Sequence, residues 1–222
     1  MNRAETLGDL PTDLPALSRL LIAYAPQTAR GWQALCWQLD QRLAAVARRG
    51  GDPMIAAIRI AWWDEVLVSD DRQKGGGEPL VEQWRATAPP GAALSAERLI
   101  DGWRLLVAPD PLSDADLGEF ARARGGGLFS LLAGRDEEAV VQAGSIWALR
   151  DLAVHVRDDG LARRAMGLAQ ELVQQSGPPH GLPRPLQLLM AVILPDVRAG
   201  RVPTADFTLR NYGRLLIASL RR

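Results

Sequence analysis

Lysine, thiols, net charge and long apolar runs are all scarce in this sequence. Of its 26 basic residues Lys74 alone is lysine, the rest being arginine. A GC-rich coding sequence is sufficient cause for that bias, yet it leaves a chain whose cations can each grip a carboxylate or phosphate through two parallel hydrogen bonds. Cys36 is the only cysteine, which excludes an intrachain disulfide and a cysteine-based metal cluster. Its neighbours Leu35 and Trp37 predict a buried thiol rather than a nucleophile. Basic and acidic residues balance to a formal charge of +0, which argues against bulk electrostatic capture of nucleic acid or of an anionic membrane, and no nucleic-acid partner is expected. The most apolar run, Leu186 to Leu194, is far shorter than the roughly 18–20 residues that a membrane span needs. No basic-then-apolar signal opens the chain, so the expected location is the cytoplasm.

What is present describes a folded chain. With 222 residues, 47% of them hydrophobic and 23% charged, the sequence can bury a sizeable core as one domain. Helix signals dominate. Thr12 or Asp13 is placed to cap a segment Leu14–Ala25, and Thr28 to cap a second that runs to Arg49 before Gly50-Gly51 stops it. In that second segment Trp32, Leu35, Cys36, Leu39, Leu43 and Val46 build one apolar stripe at helical spacing. Asp52-Pro53 supplies a cap and first-turn proline for Met54–Val68. Ser69 to Gly77 reads as a loop, and as the segment expected to move most. Leu80–Ala88 is predicted as a short helix that Pro89-Pro90-Gly91 ends, followed by a helix from Ser95 through Val107. Ser113 and Asp116 form a capping-box pattern ahead of Leu117–Arg124, after which Gly125-Gly126-Gly127 is expected to break the chain. Helices over Glu137–Arg157, Leu161–Gln175, Pro185–Ala199 and Asp206–Arg221 complete the prediction, with Pro195 expected to kink or end the third of these. Period-two alternation, hairpin signals and internal repeats are missing. The predicted fold class is an all-α, single-domain bundle of about ten helices.

Several stretches in order resemble the squalene/phytoene synthase family. Asp52 to Leu67, with Ile58-Arg59-Ile60-Ala61-Trp62-Trp63 at its centre, is similar to that family's proline-led "I-R-L-x-W-W" helix. Leu99-Ile100-Asp101-Gly102, then Leu117-Gly118-Glu119-Phe120, then Arg124-Gly125-Gly126-Gly127-Leu128 resemble its "L-I-D-G", "L-x-x-Y" and "A-G" stations. Ala143 to Asp151 sits where the family has a helix ending "N-I-L-R-D". The match runs from about Leu14 to the C-terminus with gaps, and the pattern is nearest the short, divergent members, whose mitochondrial representative is an assembly factor for respiratory complex I. The resemblance implies the isoprenoid-synthase helical fold. It also implies an ancestral chemistry in which Mg²⁺ holds a prenyl diphosphate between two D-x-x-x-D pairs on facing helices.

Carboxylates at i and i+4 share a helix face, which is why such pairs can hold a metal–diphosphate cluster. Here each pair is halved. Asp40 is the only acidic residue between Leu14 and Gly51, and the position four residues on is Ala44. Asp151 follows Arg150 as the resemblance requires, but four residues on stands His155, and imidazole is a poor Mg²⁺ ligand. Asp158 and Asp159 lie too far round the helix to replace it. The expectation is therefore a pseudoenzyme with no cofactor, a binding or assembly protein with tight packing where the catalytic cavity would be. The alternative is a working prenyltransferase, joining two prenyl diphosphates with Mg²⁺, in which Asp40, Arg59, Asp101 and Asp151 converge at the mouth of an apolar tunnel. A third reading keeps the tunnel to carry an isoprenoid lipid unreacted.

The candidate residues for a residual pocket are Asp40, Arg59, Asp101, Arg150, Asp151 and His155, with no metal ligands assigned. Asp151 and His155 share a face and are read as a buried polar pair or a residual acid–base pair. Arg59 interrupts an apolar run and is expected to meet Asp40 or Asp151, because an isolated buried charge is costly. The seven tryptophans line a prenyl tunnel or, more plainly, build the core. His180 and the Asp70-Asp71-Arg72 triplet are read as solvated. From Arg184 onward, Arg184, Arg198, Arg201, Arg210, Arg214, Arg221 and Arg222 oppose only Asp196 and Asp206. That excess fits a protein partner or peripheral contact with the inner membrane, or simply cations near helix ends.

Overall fold

A computed structural model describes residues 13–48, 52–108, 111–177 and 179–220. Among them the secondary structure is helical throughout, with no strand. The expected positions Thr12, Arg49, Gly50, Gly51, Arg221 and Arg222 lie outside the described residues. The chain forms α1 (Ala16–Ala23), α2 (Arg30–Arg48), α3 (Pro53–Leu67), α4 (Pro79–Thr87), α5 (Ala92–Val107) and α6 (Asp114–Phe120). A π-helical turn, Ala121–Gly125, leads directly into α7 (Gly126–Ala133). There follow α8 (Glu138–His155), α9 (Asp159–Ser176), α10 (Arg184–Arg198) and α11 (Leu209–Leu220).

Several starts follow the capping chemistry anticipated above. Asp52 accepts a hydrogen bond from the Met54 amide with Pro53 in the first turn of α3. Ser113 and Asp116 form a reciprocal capping box on α6. Other boundaries differ. Thr28 lies inside a 3₁₀ turn, Gln27–Ala29, so α2 opens without it. The helix expected from Ser95 begins earlier, at Ala92, because Gly91 takes a left-handed conformation, φ 82°, that turns the chain after two prolines. Pro195 does not end α10, which runs on to Arg198. The Ser69–Gly77 loop is tied down by Arg85, whose guanidinium donates to Asp70 Oδ1 at 3.1 Å and to the carbonyls of Asp71 and Lys74 at 2.8 and 3.1 Å.

The largest departure is at Gly125-Gly126-Gly127. No break occurs there; the glycines let helices cross at backbone contact. A Cβ on Gly125 would stand 2.0 Å from the Gly144 carbonyl oxygen, and one on Gly144 would stand 2.0 Å from that of Gly125. Gly127 abuts the α5 backbone at Ser95 and Leu99 in the same way. The π-turn and α7 thereby pack at the centre of the bundle against α5 and α8.

Around that crossing lies a continuous apolar core. Trp37, Trp63, Trp84, Trp103 and Trp147 are buried in it, with Trp32 and Trp62 packed at its edge. Cys36 is fully buried, and burial raises its thiol well above the usual range, which keeps it protonated.

Candidate functional site

Asp40 falls on the buried stripe of α2, between Trp37, Leu39 and Leu43, with no exposure at all. A lone carboxylate there would cost several kcal/mol, so it requires a cation with matching hydrogen bonds. That cation is Arg124, in the π-helical turn. Its Nε donates to Asp40 Oδ1 at 3.0 Å and its Nη2 to Oδ2 at 2.9 Å. Trp103 Nε1 donates to the same Oδ1 at 2.8 Å. Arg124 Nη2 also lies 2.8 Å from Oδ2 of Asp151, on α8.

One guanidinium thus joins two carboxylates contributed by two different helices, α2 and α8. It is 2% exposed and lies over the indoles of Trp103 and Trp147, 4.2 and 4.6 Å from the ring centroids. Two indole rings therefore bring π-electron density to a desolvated cation. Burial opposes the charge on Arg124, but the attraction of Asp40 and Asp151 overcomes it, and the guanidinium holds its proton more tightly than usual.

Asp151 is partly buried, and its other oxygen faces His155. His155 Nδ1 lies 2.8 Å from the Asp151 carbonyl oxygen and 3.4 Å from Oδ1, so a proton on Nδ1 serves both acceptors. Burial works to raise the Asp151 carboxyl, but the charge of Arg124 and the hydrogen bond to His155 outweigh it and hold it well below the usual carboxylate range. The His155 imidazole is raised in turn, first by its hydrogen bond to Asp151 and against partial burial. With His155 protonated, the four groups sum to zero charge.

A cavity of about 320 Å³ opens beside this centre. Leu21, Trp37, Trp147, Leu189, Val192 and Phe207 form apolar walls, while Arg48, Arg124, Arg150 and His155, with Asp151 and Asp206, bring charge to it. Burial lowers the Arg150 guanidinium pKa, and its Nε is buried without a hydrogen-bond partner. The expectation of tight packing is thus corrected. The space between the carboxylates is filled by Arg124, and the room next to it stays open because α1, α10 and the segment before α11 wall it off without entering it.

Asp40, Asp151 and His155 are brought together, and Arg150 lines the adjoining cavity. Arg59 and Asp101 are not part of this centre. Arg59 is exposed on α3, away from Ile60, Trp63, Val66 and Leu67, which turn inward. Asp101 lies on the outer side of α5 and pairs with Arg104, which also reaches Asp64 at 3.5 Å. Asp158 caps α9 through the amides of Gly160 and Leu161. His180 is exposed. The residue that sequence reasoning missed is Arg124. Its signal was phase: it follows Leu117, Phe120 and Ala121 along one helical face, where an arginine has to find a buried acid.

The resemblance to a Mg²⁺-dependent family can be tested on the donor set, and the residues do not fit the metal. Mg²⁺ needs free oxygen donors in octahedral array. Here both oxygens of Asp40 and one of Asp151 already accept from a fixed cation that would repel a second. Among the described residues no three His, Cys, Asp or Glu side chains gather as a metal site.

The fold and site define an all-α bundle organised around a buried arginine–dicarboxylate centre with an adjoining cavity. Comparison of the chain with protein-family models, curated proteins and solved structures finds no match.

Proposed function

We propose that this chain is a non-catalytic binding or assembly protein on a scaffold like that of the squalene/phytoene synthases, with an arginine standing where a divalent metal would be needed. The observation that carries this reading is Arg124, hydrogen-bonded to Asp40 and ion-paired with Asp151. Ionising a prenyl diphosphate requires strong neutralisation of the leaving group by metal, and the carboxylates that would recruit it are already neutralised from within the chain. What remains suited to ligand is the cavity. Its apolar walls and the side chains of Arg48, Arg150 and His155 match an anionic amphiphile, of which an isoprenoid lipid is the partner that the resemblance implies. The same resemblance implies biogenesis of respiratory complex I as the process, through a protein partner, while the arginine-rich C-terminal region fits a peripheral position on the cytoplasmic side of the inner membrane. No helix among the described residues is long and apolar enough to cross a membrane.

Incubation of the purified protein with farnesyl and geranylgeranyl diphosphate, with and without Mg²⁺, tests this reading by release of pyrophosphate. The expected outcome is no release under either condition. Farnesyl diphosphate is expected to raise the Tm without Mg²⁺, and Arg150→Gln to abolish that shift. Mg²⁺-dependent turnover that disappears in Asp151→Ala would establish the prenyltransferase instead.

A further inference from the structure

α11 buries Leu215 in the core but leaves its other large apolar side chains outside the bundle. Its inner side mixes polar and apolar groups: Asn211 and Leu215 are buried, and Arg214 donates to both oxygens of Asp196 on α10 at 2.8 and 3.0 Å. Its outer side is apolar along its whole length. Leu209, Tyr212, Leu216 and Leu220 recur at three- and four-residue steps, which places them on one stripe with Ile217 beside it. All five are exposed, Leu209 by 91% and Leu220 by 77%. At 1.5 Å per residue the stripe runs for about 18 Å.

Charge on this helix has one sign. α11 contains no aspartate or glutamate, Arg210 is exposed next to the stripe, and the sequence continues into Arg221 and Arg222. A second copy laid on this face would oppose arginine to arginine. An anionic bilayer would instead neutralise the arginines while taking the leucines among its acyl chains, the usual balance of an in-plane amphipathic helix. The overall neutrality of the chain does not conflict with this, because the relevant charge is local: α11 carries arginine and no acidic residue.

We propose that α11 is a membrane-docking helix that lies in the plane of an anionic lipid surface, burying Leu209, Tyr212, Leu216 and Leu220 with arginine at the headgroups. Asn211, on the opposite side of the same helix, lines the cavity beside Asp151, so docking brings that cavity next to the bilayer. The inference stands on α11 alone and is independent of whether the cavity holds a ligand.

Flotation of the full chain with phosphatidylcholine vesicles, and with vesicles that also contain phosphatidylglycerol, tests it. The protein is expected to float with the phosphatidylglycerol vesicles only, to be released by high salt, and to lose most binding in Leu216→Glu/Leu220→Glu and several-fold in Arg210→Glu. Both leucines are exposed, so an unchanged far-UV spectrum and melting curve separates lost docking from lost fold. As a second measurement, Leu220→Cys carrying a polarity-sensitive dye, with Cys36 buried, should shift its emission to the blue on the same vesicles. Wild-type protein that stays unbound, or a double variant that floats as well as wild type, overturns the proposal. So does a wild-type dimer that the double variant converts to monomer, which would give this face to a second copy of the chain.

Discussion

Arg124 and Asp40 meet through two hydrogen bonds across 84 positions of sequence, and neither touches solvent to any useful degree. A pair of that kind is costly to break from one side. Arg124→Met should leave Asp40 buried without a cation and destabilise the protein by about 3–5 kcal/mol. The measurement is the urea midpoint at constant slope. Asp40→Leu/Arg124→Met should recover most of that loss. A double variant as unstable as the single one would mean that the pair is not the unit of stability.

The glycine crossing yields a contrast within neighbouring elements. Gly144→Ala would put a methyl group 2.0 Å from a backbone oxygen of the π-turn, and forced overpacking of this kind should cost about 3 kcal/mol or more. Gly118, on α6, has nothing within 4 Å of its absent Cβ. Gly118→Ala should therefore be neutral or stabilise by about 0.5–1 kcal/mol, the ordinary helix preference. Thermal denaturation of both variants distinguishes a packing role from a conformational one.

That contrast marks where the sequence was legible. The helices followed from apolar spacing and capping residues, and Asp52 and Ser113 do what their types and positions require. Gly125-Gly126-Gly127 misled because glycine reads as a breaker locally, whereas its use here depends on Gly144, which is close only after folding. The site was half visible for the same reason. Asp40 and Asp151 announced themselves as acids in apolar helices, but their shared partner could not be chosen from 25 neighbours of one type by spacing within any single helix. Arg59 has the more apolar sequence context, yet it lies on the side of α3 that no other described residue buries.

His155 gives a pH dependence with a definite sign. Its folded pKa is raised by Asp151, so protonation favours the folded state. The contribution is fully present below about pH 6.5, the ordinary value, and is lost as pH rises through the elevated folded value. Stability measured from pH 5 to 9 should decline across that upper range, and His155→Gln should flatten the decline. An unchanged profile in the variant would show that Asp151 does not read the charge on His155. Asp151 itself works in the opposite direction: its stabilisation is present above about pH 3.9 and fades only as acid reaches its depressed folded value.

Arg85 offers a local test. It holds the 69–77 loop through a side chain and two backbone carbonyls. Arg85→Gln should speed amide exchange at Asp71, Lys74 and Glu78, whose N–H groups bond within or next to that loop, while leaving global stability within about 1 kcal/mol. Exchange monitored by mass spectrometry would refute the assignment if the loop peptides were unaffected.

A counter-ion built into the polypeptide has a property that a captured one lacks. The cation between Asp40 and Asp151 cannot leave by dilution, be stripped by a chelator, or be exchanged for a competing metal, because its occupancy is not a binding equilibrium. The centre of this bundle therefore keeps the same charge balance whatever the ionic supply around it, and it is complete as soon as the chain has folded.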